Sequence, residues 1–363
     1  MAYTTIDNPE LFFQTLIWTG DGSGTKSFTL DGSENMQPDW VWSKARESLS
    51  TITGSHFLFD SVRGGGAEKE IRSNNSGAEG SSANQVYGYV SSFDSDGFTT
   101  TAGSSNNDYF NKSSIKYVAW NWKAGGSASS NGDGDITSSV SVNTTAGFSI
   151  VSYTGNGSAT QTIGHGLGAV PKVMIFKRRN SSSDWIVYHN KLGATKYIPL
   201  NSTSTGSAYE PYFANTEPTS SVFTVDTAGD INGSSDTFIA YLFSEIKGYS
   251  KFSSYKGNGN ANGTFVYTGF RPVWVMSKRT DATDGWRIRD AKRDVDNPAQ
   301  HRLLANASDA EVVASSQDTD FLSNGFKIRN SDSGYNTSGA TYIYMAFAES
   351  PFVNSNGVPN NAR

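Results

Sequence analysis

The chain has 363 residues, a formal net charge of −5, 17% charged residues, 37 glycines, four histidines and no cysteine. Without thiols there is no disulfide framework, thiolate zinc site or iron–sulfur cluster, and a net-negative chain poor in Lys and Arg is no general binder of nucleic-acid backbones. Its 8 Trp, 17 Tyr and 21 Phe are too much bulky apolar surface for a disordered chain, so it is expected to fold.

The N-terminus, Met1-Ala-Tyr-Thr-Thr-Ile-Asp-Asn-Pro9, lacks the basic and apolar stretches of a secretory leader. The triplets at Asn74, Asn156 and Asn232 are then accidents of composition rather than glycosylation sites. The longest apolar runs, Tyr117–Trp122 and Phe238–Phe243, are strand-length, so no membrane insertion is expected.

Taken in chain order, the elements recur three times. An aromatic-x-Gly-polar-Gly element opens each unit: Trp18-Thr-Gly20-Asp-Gly22, Tyr153-Thr-Gly155-Asn-Gly157 and Tyr255-Lys-Gly257-Asn-Gly259. From the first glycine, 18, 16 and 15 positions lead to Pro38-Asp-Trp-Val-Trp-Ser-Lys44, Pro171-Lys-Val-Met-Ile-Phe-Lys177 and Pro272-Val-Trp-Val-Met-Ser-Lys278. Next come Phe57-Leu-Phe-Asp60, Ile186-Val-Tyr-His189 and Ile288-Arg-Asp290, the last two led by Trp185 and Trp286. Segments at Ile71–Asn74, Ile198–Asn201 and Leu303–Asn306 follow, then strands centred on Phe98, Phe223 and Phe326. Each unit closes on a gapless match from Asn111, Asn232 or Asn336 to Trp122, Phe243 or Phe347.

Short Val, Ile, Tyr, Phe and Trp runs bounded by Gly, Asn, Asp and Ser are strand signatures, and units of this length can bury their own cores. The expectation is an all-β protein of three tandem antiparallel β-sandwich-like repeat domains, 1–124, 146–247 and 248–350. Residues 125–145 read as a Gly/Ser/Asp linker that leaves the first unit free to move, and 351–363 as a tail or partner-docking strand. The repeat markers Pro38, Pro171 and Pro272 are expected to open strands that Lys44, Lys177 and Lys278 close at the surface, in structural roles. The glycine elements are expected at hairpin tips.

No motif announces catalysis. The glycine clusters lack the spacing of a dinucleotide or phosphate loop, and no Gly-x-Ser-x-Gly elbow occurs. Asn131, Asp133 and Asp135 imitate the start of a calcium loop, but Ile136 takes the glycine position and Val142 the place of the bidentate glutamate. His56, His165, His189 and His301 share no ligand spacing, so no metal and no cofactor is expected. Asp60 and Asp290, each with an arginine three positions on (Arg63, Arg293), read as strand-end ion pairs; a glycosidase would require each to meet a second acid in space. The loop aromatics Tyr209, Tyr212 and Tyr335 break the repeat and are the candidate receptor-binding residues.

Several of these stretches resemble a family of tandem-repeat virion or tail-fibre-like structural proteins of tailed, especially marine, bacteriophages. They are the Pro38–Lys44 block, Phe93-Asp-Ser-Asp-Gly-Phe98, Val118-Ala-Trp-Asn-Trp-Lys-Ala-Gly125, the run from Thr145 to Gly157, and Gly164-His-Gly-Leu-Gly-Ala-Val-Pro-Lys172. Phe321-Leu-Ser-Asn-Gly-Phe326 and the ending Ala348-Glu-Ser-Pro-Phe-Val-Asn-Ser-Asn-Gly-Val-Pro359 fit the same pattern. The resemblance implies a non-enzymatic virion surface protein assembled in the host cytoplasm, a tail fibre or appendage that recognises the host surface. Its implied partners are other virion proteins, further copies of itself (a trimer by analogy) and a host-surface glycan or protein. The alternatives are an architectural capsid-decoration or tail-collar protein and, third, a glycan-degrading spike. No catalytic residues are implied.

Overall fold

A computed structural model describes residues 3–49, 54–81 and 84–359. The chain is all-β with antiparallel ladders. The three repeated stretches build their main sheets in one order: an opening strand, the closing strand, the strand that ends in the repeat lysine, then that strand's hairpin partner. In the first stretch these are Phe13–Thr19, Lys116–Trp122, Trp40–Ala45 and His56–Asp60; in the second, Phe148–Thr154, Thr237–Phe243, Val173–Arg178 and Ile186–His189. In the third they are Ser250–Lys256, Thr341–Pro351, Phe270–Arg279 and Arg287–Asp290. Register repeats as well: Trp18 faces Tyr117, Tyr153 faces Phe238 and Tyr255 faces Tyr342, while Lys44, Lys177 and Lys278 face Val118, Ile239 and Ile343.

Each main sheet is covered on one face by a small sheet of two or three strands, and each such sandwich has its own apolar cluster. The other faces of the three main sheets meet in one shared core. Cross-strand pairs equivalent by register form its layers: Trp40 with Trp122, Val173 with Phe243 and Trp274 with Phe347 in one, then Trp42 with Trp120, Ile175 with Tyr241 and Met276 with Met345 in the next. Rings touch across every seam, Trp40 on Tyr241 at 4.2 Å, Trp122 on Trp274 at 5.6 Å and Phe243 on Phe347 at 5.6 Å. A strand apolar on both faces reads as a continuous run instead of an alternating one, which is why Tyr117–Trp122 is buried at every position.

At the corners where each opening strand leaves the main sheet, a buried asparagine clamps the glycine element. Asn111, Asn232 and Asn336 accept the amides of Asp21, Asn156 and Asn258 on Oδ1, and those of Gly22, Gly157 and Gly259 on their carbonyls. Gly22, Gly157 and Gly259 have φ of 80°, 72° and 71°, the left-handed region glycine tolerates. The preceding glycines are required by proximity: a Cβ on Gly20 would lie 2.1 Å from the carbonyl oxygen of Lys112. These elements are therefore corners between two sheets, not hairpin tips.

Four further expectations are corrected. Lys44, Lys177 and Lys278 are not at the surface but are fully buried, because they share the inward parity of the tryptophans two and four positions earlier in the first unit. The stretch 125–145 is not a free linker: Ser129–Asn131 and Ser138–Asn143 add two strands to the edge of the second main sheet. With that strap in place and its tryptophans in the shared core, the first unit is not free to move against the others. Pro272 does not open its strand but lies inside Phe270–Arg279, at a bulge where the ladder to the closing strand shifts register. The tail folds back, Ser355 donating its amide to Asp7 at 2.7 Å; residues 360–363 lie outside the described ones.

Candidate functional site

The polar residues singled out in the sequence converge on the seams between the three sheets. Asp60, fully buried, accepts from its own Arg63 through the amide at 2.9 Å and Nε at 2.5 Å, and from the hydroxyl of Tyr241 in the second unit at 2.7 Å. Asp290 repeats this with Arg293 and takes Nε1 of Trp120, in the first unit, at 2.9 Å. At the third seam the position of Trp120 and Tyr241 is occupied by Met345, which donates nothing. There the acid is replaced by His189, whose Nε2 donates to the Tyr344 carbonyl at 3.2 Å. The repeat lysines close the same ring: Lys44, Lys177 and Lys278 donate to the carbonyls of Ser308, Ser76 and Thr203, each in the next unit around. Burial holds each ammonium down to about 8.

A second acid does approach each aspartate, but through an arginine. Glu79 lies 3.6 Å from Arg63 and also pairs with Arg179, and Glu311 lies 2.6 Å from Arg293 and 2.7 Å from Arg46. Both aspartates are sealed from solvent, so neither carboxylate pair flanks an open space of the kind glycoside hydrolysis requires. The histidines are equally occupied. Trp42 Nε1 donates to His56 Nδ1, leaving Nε2–H for the Leu304 carbonyl, and burial lowers the His56 and His189 pKa values, the latter to about 4. His165 bonds the Thr219 carbonyl and the Leu167 amide, and His301 sits 2.6 Å from Asp294. Asp133 and Asp135 bond Asn131 and Thr162, and no cluster able to hold a metal occurs among the described residues.

Of the candidate tyrosines, two are not at the surface. Tyr212 is buried and donates to Asp230 at 2.8 Å; Tyr335 is buried, with the guanidinium carbons of Arg287 and Arg289 each 5.1 Å from its ring centre. Tyr209 is 47% exposed and leans on Tyr212 at 4.9 Å.

An open cleft of 610 Å³ lies on the third unit, lined by Ala261, Asn262, Asn297, Pro298, Asp318, Asp320 and Arg329. Strand Thr319–Leu322 brings Asp320 to its lining. Asp320 binds Arg329 at 2.6 Å, and Asp318 takes Gln300 on one carboxylate oxygen, leaving the other without a hydrogen bond among the described residues. Asn297 is spent on both backbone groups of Phe321, so it shapes the wall. On the outer face of the same small sheet, Phe265 faces Lys327, which faces Asp320, and Tyr267 faces Gly325, which faces Leu322. Phe265 and Tyr267 are 43% and 54% exposed. Neither ring lines the cleft: their strand and that of Asp320 are the two edges of this small sheet, the rings offering flat apolar faces for stacking and the cleft its carboxylate, guanidinium and amide groups. Asp318 directly precedes that strand and Asp320 stands on it, so the two carboxylates lie two positions apart along one segment and do not face each other across a bond.

These residues escape a search for motifs, but the repeat carries a signal for them. Phe265 and Tyr267 flank Val266, whose register equivalents are Phe28 and Ile163; their flanking residues are Ser27 and Thr29, and Thr162 and Gly164. The third unit alone places aromatics at these outward positions. No curated protein and no solved structure matches the chain. A family profile described as a domain of unknown function, DUF7483, matches residues 8–351, and the chain belongs to that family.

Proposed function

We propose that this chain is a non-enzymatic surface protein of a tailed-phage virion, a tail fibre or appendage component that attaches to a host-surface glycan or protein, with the third unit supplying the contact face. The observation that carries the recognition role is the concentration of departures from the repeat in that unit: Phe265 and Tyr267 exposed at one edge of the small sheet whose other edge strand brings Asp320 to the cleft, on a frame whose repeated polar groups are spent on its own seams. The phage setting rests on the sequence resemblance. Purified protein should bind host cells and block adsorption. Phe265→Ala with Tyr267→Ala should abolish binding while leaving thermal stability nearly unchanged, since both rings are half in solvent. Saturable binding to empty capsids with no binding to cells refutes attachment.

That outcome would support the second reading, an architectural decoration or collar protein. What favours it is the internal three-fold repetition, which lets one chain present a three-fold face to a symmetric particle. A glycan-degrading spike stands third, because Asp60 and Asp290 are committed to buried seams.

A further inference from the structure

The third unit departs from the repeat inside as well as outside. On the hairpin-partner strand, the two positions facing the unit's own sandwich core are Phe57 and Phe59 in the first unit and Ile186 and Tyr188 in the second, all buried and apolar in character. In the third unit they are Arg287 and Arg289, 8% and 2% exposed. Replacing two core hydrophobes with guanidinium groups is costly unless each charge is matched. The match is incomplete. Arg287 pairs with Asp284 at 2.5 Å and has Asp332 at 4.0 Å. Among the described residues Arg289 reaches only the Tyr335 hydroxyl and the carbonyls of Ala299 and Gln317, and the neighbouring Arg302 only the Gln317 side chain. Three guanidinium groups thus face two carboxylates, and burial together with Arg287 and Arg289 lowers the pKa of Arg302.

Between these arginines and the small sheet lies a small cavity bordered by Ser277, Arg287, Arg289, Thr319, Phe321 and Phe326, among others. Its volume of about 10 Å³ is on the scale of one small occupant, a water or a monatomic ion. Two of its bordering groups, Nε of Arg287 and Oγ1 of Thr319, are buried donors with no hydrogen-bond partner among the described residues.

We propose that this cavity binds a single halide ion, chloride foremost, held by Arg287 and the Thr319 hydroxyl with the charge of Arg289 behind them. The ion supplies the missing negative charge and satisfies both free donors. It also ties the inner arginines to strand Thr319–Leu322, whose opposite side carries Asp320 at the cleft, and this holds whatever the cleft binds.

The test is thermal unfolding of the full chain in sodium gluconate, whose anion is too large to enter, titrated with sodium chloride or bromide at constant ionic strength. A ligand that binds only the native state raises the melting temperature in a saturable way. Thr319→Val keeps the shape and removes the hydroxyl, and should move half-saturation about tenfold or more upward. Melting temperatures indifferent to the identity of the anion, or an unchanged half-saturation in Thr319→Val, overturn the proposal. Should the variant fail to fold, crystals of the unaltered chain grown in bromide decide: anomalous scattering in the cavity supports the site, and anomalous scattering only at the surface refutes it.

Discussion

Replacing Asp60 by asparagine tests whether the seams hold the molecule together. The carboxylate is fully buried and takes three hydrogen bonds, from the amide and Nε of Arg63 and from Tyr241 across the seam. Asparagine is nearly isosteric but uncharged, so Arg63, itself without side-chain exposure, keeps only Glu79 at 3.6 Å, which Arg179 already engages. Removing one partner of a buried ion pair costs about 3–5 kcal/mol, because the other charge stays buried. Tyr241→Phe removes a single hydrogen bond to a charged acceptor and leaves the ion pair intact, so its cost is about 1.5–3 kcal/mol. The two groups share one oxygen, so the double variant should lose less than the sum. Urea unfolding at neutral pH, followed by tryptophan fluorescence and far-ultraviolet circular dichroism, measures all three. Most tryptophans stand in the shared core, so the two signals should report one coincident transition. An Asp60→Asn variant within about 1 kcal/mol of the parent, or separate transitions in the parent chain, would refute the account of sheets locked around one core.

Four other outcomes are expected. His189 stays neutral down to about 4 in the folded chain but takes a proton near 6.5 when unfolded, so the unfolded state binds more protons in that window and stability falls as pH drops through it, by about 3 kcal/mol at most; His56 acts in the same direction, and His189→Gln should flatten the acid limb of a urea-midpoint profile. Lys44, Lys177 and Lys278 release their protons near 8 when folded and near 10.5 when unfolded, so midpoints should rise with pH above about 8 until unfolded tyrosines ionise near 10 and reverse the trend. The same lysines should resist acetylation in native protein and react on unfolding, as peptide mass mapping would show. Trp40→Ala, which opens the shared core where the ring stacks on Tyr241, should cost about 3–5 kcal/mol, and no coincident shift in both spectroscopic signals would count against that core.

The elements themselves were readable because the repeat is read through hydrogen bonding that tolerates little change. Asn111, Asn232 and Asn336 each spend an amide oxygen and a carbonyl on the same corner, and the first glycine of each element, Gly20, Gly155 or Gly257, lies too close to a backbone oxygen to admit a side chain. Which face each strand turns to what was not readable. A run such as Val118-Ala-Trp-Asn-Trp122 is buried on both sides, and burial by a small sheet and burial by a neighbouring main sheet leave the same apolar residues behind. The lysines misled for a related reason. A lysine that ends an apolar strand normally reaches water, and only the third dimension shows that the next unit's carbonyls stand where water would be.

The acids and the cleft follow from the same limitation, and they separate through parity. Along the hairpin-partner strands, Asp60 and Asp290 share the parity of Leu58 and Ile288 in the shared core, so the spacing to an arginine that recurs in these two units marks a seam. Residues one position away face the unit's own sandwich, and there the third unit exchanges Phe57 and Phe59 for Arg287 and Arg289. On the small sheet the same period of two keeps Val266 inside and turns Phe265 and Tyr267 out. A difference between repeats at a seam position must be compensated by the adjoining unit, as His189 is matched to Met345, and this ties its variation to the frame. A difference at a sandwich-core or outer position is answered only within its own unit. The positions free to vary for a ligand are thus the ones that break the repeat without a counterpart across a seam, and in this chain they gather on the third unit.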